Sequence, residues 1–119
     1  MPMRFSTTRF LITTTFVIEV GFAMAVPAIA QDDVKKGQAV YTAQKCQVCH
    51  AVAGKGSKAN PLDGVGAKLS ADDIKQWITH PTEAAAKAKS TKKPPMPAKY
   101  GSLPAADLDA LVAYMLSLK

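Results

Sequence analysis

Three stretches of the chain carry apolar side chains at helical intervals, and none alternates as a strand does. From Asp33 to about Lys45, the residues Val34, Gly37, Val40 and Tyr41 fall on one stripe, and Asp32 and Asp33 place negative charge where a helix dipole favours it. In "LSADDIKQWITHP" the apolar stripe is Ile74, Trp77 and Ile78. Ser70 stands as its N-cap, Asp73 as the capping-box partner, and Leu69 with Ile74 as a hydrophobic staple. Pro81 is expected to end that helix, and "TEAAAKAK" to add another turn or two. The last stretch, "LPAADLDALVAYMLSLK", puts Leu108, Leu111, Val112, Met115 and Leu118 on one face, with Pro104 in the first turn and Asp107 and Asp109 set for the dipole. The pattern predicts an all-α domain.

Two segments lack periodicity. Residues 51–68 hold Gly54, Gly56, Gly64, Gly66 and Pro61, and residues 90–102 hold Pro94, Pro95, Pro97 and Gly101 around Met96. Loops this long in so small a domain are expected to wrap something.

The N-terminus changes the picture of the domain. Arg4 and Arg9 precede a largely apolar run that ends in the small residues Ala28 and Ala30 around Ile29. That order predicts a secretory signal peptide, residues 1–30, cleaved after Ala30, and a mature domain over 31–119. An uncleaved membrane anchor is the alternative, because residues 10–30 are long enough to span. Against it stand Thr13, Thr14, Thr15 and Glu19 in that run; a buried carboxylate costs roughly 2–3 kcal/mol there. Cleavage would deliver the domain to the periplasm. A domain of this size buries a modest fraction of its surface and needs a staple. A Cys46–Cys49 disulfide would close too short a loop to serve.

Residues 31–119 carry 13 lysines against eight carboxylates, and Lys87, Lys89, Lys92, Lys93 and Lys99 crowd into one stretch. Nucleic acid is a poor partner for an exported chain with no aromatic residues interleaved among its lysines. Acidic proteins fit better. A plain solvated charge run is the alternative.

Both cysteines of the chain lie in "KCQVCHAVAGKG", where Cys46, Cys49 and His50 form the C-x-x-C-H pattern of covalent c-type haem attachment. One helical turn between the thiols brings both sulfurs to one porphyrin edge, and the adjoining imidazole can ligate the iron. A thioredoxin-like reading needs a βαβ context that the pattern lacks. A zinc reading needs His80 as its fourth ligand. For a second axial ligand, Met96 stands between prolines among lysines, a poor place for core filler. Met115 belongs to an apolar stripe and reads as core. His80, before Pro81, reads as structural, with bis-histidine ligation as the alternative it would create.

Over residues 31–119 the chain resembles the small class I monohaem cytochromes c of the bacterial periplasm. The likeness is carried by "GQAVYTAQKCQVCH", "NPLDGVG", "PPMPAKY" and "LDALVAYMLSLK". The resemblance implies a cytochrome c fold, three to five helices wrapped around one covalently attached haem c. It implies that the carbonyl of Pro61 accepts the free N–H of His50, that Leu62 packs on the haem, and that Trp77 bonds a propionate. It also implies a crossing of the first and last helices through Gly37, Tyr41, Leu111 and Tyr114. Tyr41 precedes Cys46 by five positions where mitochondrial members have four, so the register of that crossing is open. The implied function is one-electron transfer rather than enzyme catalysis, with acidic redox partners docking at a haem edge ringed by the five lysines. A fixed subunit of a periplasmic dehydrogenase or oxidase complex is one alternative. A haem sensor or peroxidase with an open distal site is another.

Overall fold

The computed structural model describes residues 29–119, so the predicted signal peptide or anchor lies outside the described residues, with its expected cleavage point at their edge. Five helices follow in chain order: α1 (Ile29–Ala43), α2 (Val65–Lys68), α3 (Ala71–Thr79), α4 (Pro81–Lys87) and α5 (Ala105–Ser117). Short 3-10 turns sit at Cys46–Val48 and Ala98–Ser102. The only strands among the described residues are β1 (Ala51–Val52) and β2 (Lys55–Gly56), paired antiparallel.

The most extensive contact is that of α1 with α5. A Cβ added to Gly37 would run into the carbonyl of Ala110 and the Cβ of Tyr114, so only glycine allows this approach. Tyr41 meets Tyr114 edge to face, with ring centroids 5.6 Å apart. Lys36 bridges to Asp107 at 3.0 Å beside the crossing, an exposed pair that contributes about 0–1 kcal/mol. The buried face of α5 is wider than the expected stripe. Ala110 and Tyr114 join Leu108, Leu111, Val112 and Met115, because α5 is covered by α1 on one side and by α3 on another. Leu118 lies past the last helical residue and is half-buried.

α1 begins earlier than Asp33. Ala30 and Gln31 are good helix formers and continue it upstream, so that Asp32 becomes part of its first turn. It also stops short of Lys45, which takes a left-handed conformation (φ 56°) and closes a turn on the Thr42 carbonyl at 3.0 Å. The extra position between Tyr41 and Cys46 falls in the stretch after the helix has ended, and within the helix Gly37 and Tyr41 both meet α5 at Tyr114.

α3 starts as the sequence predicts. Ser70 Oγ accepts the Asp73 N–H at 3.1 Å, and an Asp73 carboxylate oxygen accepts the Ser70 N–H at 3.4 Å. The Ser70 hydroxyl, donating to the same carboxylate at 2.7 Å, and after it the Ser70 N–H hold the Asp73 carboxyl below the usual carboxylate range. Pro81 both follows the end of α3 and opens α4, where its missing N–H is not needed.

The first aperiodic segment contains more structure than expected. Ala53 (φ 50°) and Gly54 (φ 76°) form the left-handed pair of a two-residue hairpin, and Asp63 Oδ1 accepts the Ala53 N–H at 2.8 Å. The short helix α2 is tied to the chain's end: Gly66 N–H donates to Leu118 O at 2.8 Å, and Lys119 Nζ donates to Gly66 O at 2.9 Å. Val40, Tyr41, Ile74, Ile78, Leu111 and Met115 belong to the core that results, and Cys46, Leu62, Met96 and Tyr100 pack half-buried at its edge.

Gly37→Ala is expected to lower stability by about 1–3 kcal/mol through overpacking against Ala110. In thermal melts of the native protein its midpoint should fall below that of Ser70→Ala, which removes a cap worth about 1 kcal/mol.

Candidate functional site

The left-handed Lys45 turns the chain out of α1 and into the 3-10 turn at Cys46–Val48. The Cys46 carbonyl then accepts the N–H groups of Cys49 at 3.1 Å and His50 at 2.9 Å, which winds the three residues of the C-x-x-C-H pattern into one turn. No disulfide joins the two cysteines; Cys46 is half-buried and Cys49 exposed. Burial pushes the Cys46 thiol up from its ordinary pKa.

His50 is held on two sides. Its carbonyl accepts the Ser57 N–H at 3.1 Å and the Tyr41 hydroxyl at 3.3 Å. Burial pushes the Tyr41 phenol up to about 12, which keeps it a donor throughout the physiological range. The ring nitrogen Nδ1 lies 3.0 Å from the carbonyl of Asn60. A carbonyl can only accept, so Nδ1 carries the proton, and in the tautomer this selects Nε2 bears the lone pair.

The acceptor is therefore Asn60 and not Pro61. Ala51 pairs in parallel with Pro61, its N–H donating to Asn60 O at 3.4 Å and its carbonyl accepting from Leu62 N at 2.8 Å. In extended chain successive carbonyls point to opposite sides. The Asn60 carbonyl thus faces His50 and Ala51, and that of Pro61 faces away. Pro61 is exposed and does not line the cavity beside the motif.

That cavity has a volume of about 300 Å³. Cys46, Cys49 and His50 line it from the attachment turn, Leu62 from the glycine-rich loop, Trp77 from α3, and Met96 from the proline-rich loop. Ile74, Ile78 and Leu111 make its apolar floor. Met115 also reaches the wall, but as a buried member of the core on α5. The Trp77 indole makes no hydrogen bond among the described residues. His80 is exposed, with Nδ1 2.8 Å from Thr79 Oγ1, and lies away from the cavity. It is thus remote from the thiols, and among the described residues no three His, Cys, Asp or Glu side chains gather as a metal site. The zinc reading loses its fourth ligand, and the thioredoxin-like reading finds no βαβ unit.

The lysines divide by position. Lys92 lines the cavity and bonds the Ala59 carbonyl at 3.3 Å, and Lys99 lies 5.1 Å from the centre of the Tyr100 ring. Lys87 turns instead to Asp73 at 3.5 Å. Lys89 and Lys93 are exposed and make no ion pair among the described residues. Sequence reasoning missed Lys45 at the cavity wall, the Tyr41 hydroxyl and Asn60. A polar residue ahead of "PLDG" was the one signal for the last.

An apolar cavity with two thiols one turn apart at its wall, an imidazole whose lone-pair nitrogen is free, and a thioether from a separate loop suits a large planar apolar group carrying a metal. The family model described as Cytochrome c matches residues 34–119. No curated protein and no solved structure gives a match. Because the matched span takes in most of α1, the attachment turn, both loops and α5, the chain belongs to the cytochrome c family, whose domain binds a covalently attached haem c.

Proposed function

We propose that the protein is a one-electron carrier of the periplasm, exported through its N-terminal segment, in which haem c is held between His50 and Met96. Haem-based electron transfer is the property of its family. The finer reading rests on one observation: His50 and Met96, from segments far apart in sequence, line the same apolar cavity as the two thiols.

When bound, the haem supplies an iron that passes between ferrous and ferric states. Cys46 and Cys49 tether it, and His50, with Nδ1 committed to a carbonyl, offers Nε2 as a strong ligand. The Met96 thioether favours the ferrous form and so raises the potential. The prolines on both sides of Met96 restrict its backbone, which keeps the side chain in place at low entropic cost. Leu62, Ile74 and Ile78 keep water from the iron. With His50 and Met96 both engaged by the iron, no position would be left for a substrate, which favours a carrier over an enzyme. Trp77, at the cavity wall, is placed to donate its indole N–H to a propionate.

Docking is assigned to the lysine-bearing side, toward acidic redox partners. Of these five lysines, Lys92 lines the cavity and Lys99 lies close enough to Cys46 for its charge to act there, with Lys89 and Lys93 their neighbours in sequence and Lys87 partly neutralised by Asp73. Val48, 68% exposed between the two cysteines, adds an apolar side chain to the surface of the attachment turn.

A visible spectrum of the purified protein in both redox states tests the reading: a colourless protein, or one with free thiols, overturns it. Met96→Ala should let ferrous protein bind carbon monoxide rapidly and should lower the reduction potential, while the native protein resists carbon monoxide. Reversing both Lys92 and Lys93 to Glu should slow electron exchange with an acidic partner several-fold at low salt. The difference should shrink as the Debye length falls to about 10 Å near 0.1 M salt.

A further inference from the structure

We infer that Asn60 is a positioning residue for the axial imidazole: its side-chain amide ties the loop that orients His50 back onto the attachment turn that carries His50. The inference rests on the axial role proposed for His50.

A carbonyl orients a ring only as well as the carbonyl is itself held. The segment around Asn60 is pinned at Ala51 by the parallel bridge to Pro61 and at Lys92 through the Ala59 carbonyl, but neither contact reaches Cys49. Lys58, Ala59 and Pro61 are exposed, and the residues between β2 and α2 belong to no regular element. Asn60 compensates by gripping three consecutive residues. Its backbone oxygen takes the His50 Nδ1 proton at 3.0 Å and the Ala51 N–H at 3.4 Å. Its side-chain Nδ2 donates to the Cys49 carbonyl at 3.4 Å. One residue therefore reaches the cysteine that bears a thioether, the histidine that bears the ligating nitrogen, and the strand that follows them.

The chemistry of the grip singles out asparagine. The partner at Cys49 is a carbonyl, so the group facing it must be a donor. Aspartate, of the same shape, would set a carboxylate oxygen against that carbonyl. Alanine would keep the backbone oxygen for His50 but lose the tie to Cys49. At 3.4 Å the tie is at the long end of the hydrogen-bonding range, so its loss loosens the geometry without unfolding the turn, which Ser57 and Tyr41 also hold through the His50 carbonyl. A looser Asn60 carbonyl is a poorer partner for Nδ1–H, and the imidazole becomes a less basic ligand. The ferric state loses more from this than the ferrous state.

The test compares haem-loaded native protein with Asn60→Ala and Asn60→Asp. Nitrogen-15 NMR of the reduced, diamagnetic protein reads exchange of the His50 Nδ1 proton with water, and redox titration reads the potential. Both variants should speed that exchange by about three- to tenfold, the effect of losing one modest hydrogen bond, and both should raise the potential. Variants that melt earlier yet keep native exchange and native potential would make Asn60 merely structural and overturn the inference. Should neither variant mature, the native protein decides: a protected, non-averaging Asn60 NH₂ supports the tie, and a freely exchanging one refutes it. Failure of the ligand reading shows separately, as a proton on His50 Nε2 in the native protein, and leaves the Nδ1 comparison intact.

Discussion

The distance at which α1 can approach α5 governs the placement of everything else. Gly37 lets the two helices touch backbone to side chain, and Tyr41, one turn later on α1, reaches both Tyr114 on α5 and the carbonyl of His50. The attachment turn is thereby hung from the helix crossing. A looser crossing would move the imidazole relative to the floor laid down by Ile74, Ile78 and Leu111.

The two walls of the cavity are built on different principles. The wall carrying His50 is a mesh of short bonds among residues 41–62, with a hairpin, a parallel bridge and the Asp63 carboxylate fastening its parts. The wall carrying Met96 has few such bonds and relies on the stiffness of proline and on packing against the core edge. The turn that bears His50, fixed by hydrogen bonds, thus shares its cavity with the loop that bears Met96, fixed by covalent geometry. Such a pairing suits a centre that must change oxidation state with little rearrangement.

Much of this was legible in the order of residues. The capping box at Ser70 and Asp73, the stripe on α5, the pattern around Cys46, Cys49 and His50, and the Met96 loop each depend on residues close in sequence, where spacing translates directly into geometry. What escaped was set by contacts between distant segments. The helix α2 is one turn long and owes its place to Leu118 and Lys119, so no periodicity could announce it. The hairpin strands are two residues each, too short to alternate. The acceptor for His50 moved from Pro61 to Asn60 because the direction of a carbonyl depends on how residues 60–62 pair with Ala51.

Lys45 separates two demands that would otherwise compete. Upstream of it, the chain must keep the phase of a helix so that Gly37 and Tyr41 meet α5. Downstream, the thiols and the imidazole must keep the phase of a much tighter coil. A single left-handed residue between them acts as a slip joint. The helix ends at Ala43 and the tighter coil begins at Cys46, so each half winds about its own axis and the phase of one does not dictate that of the other.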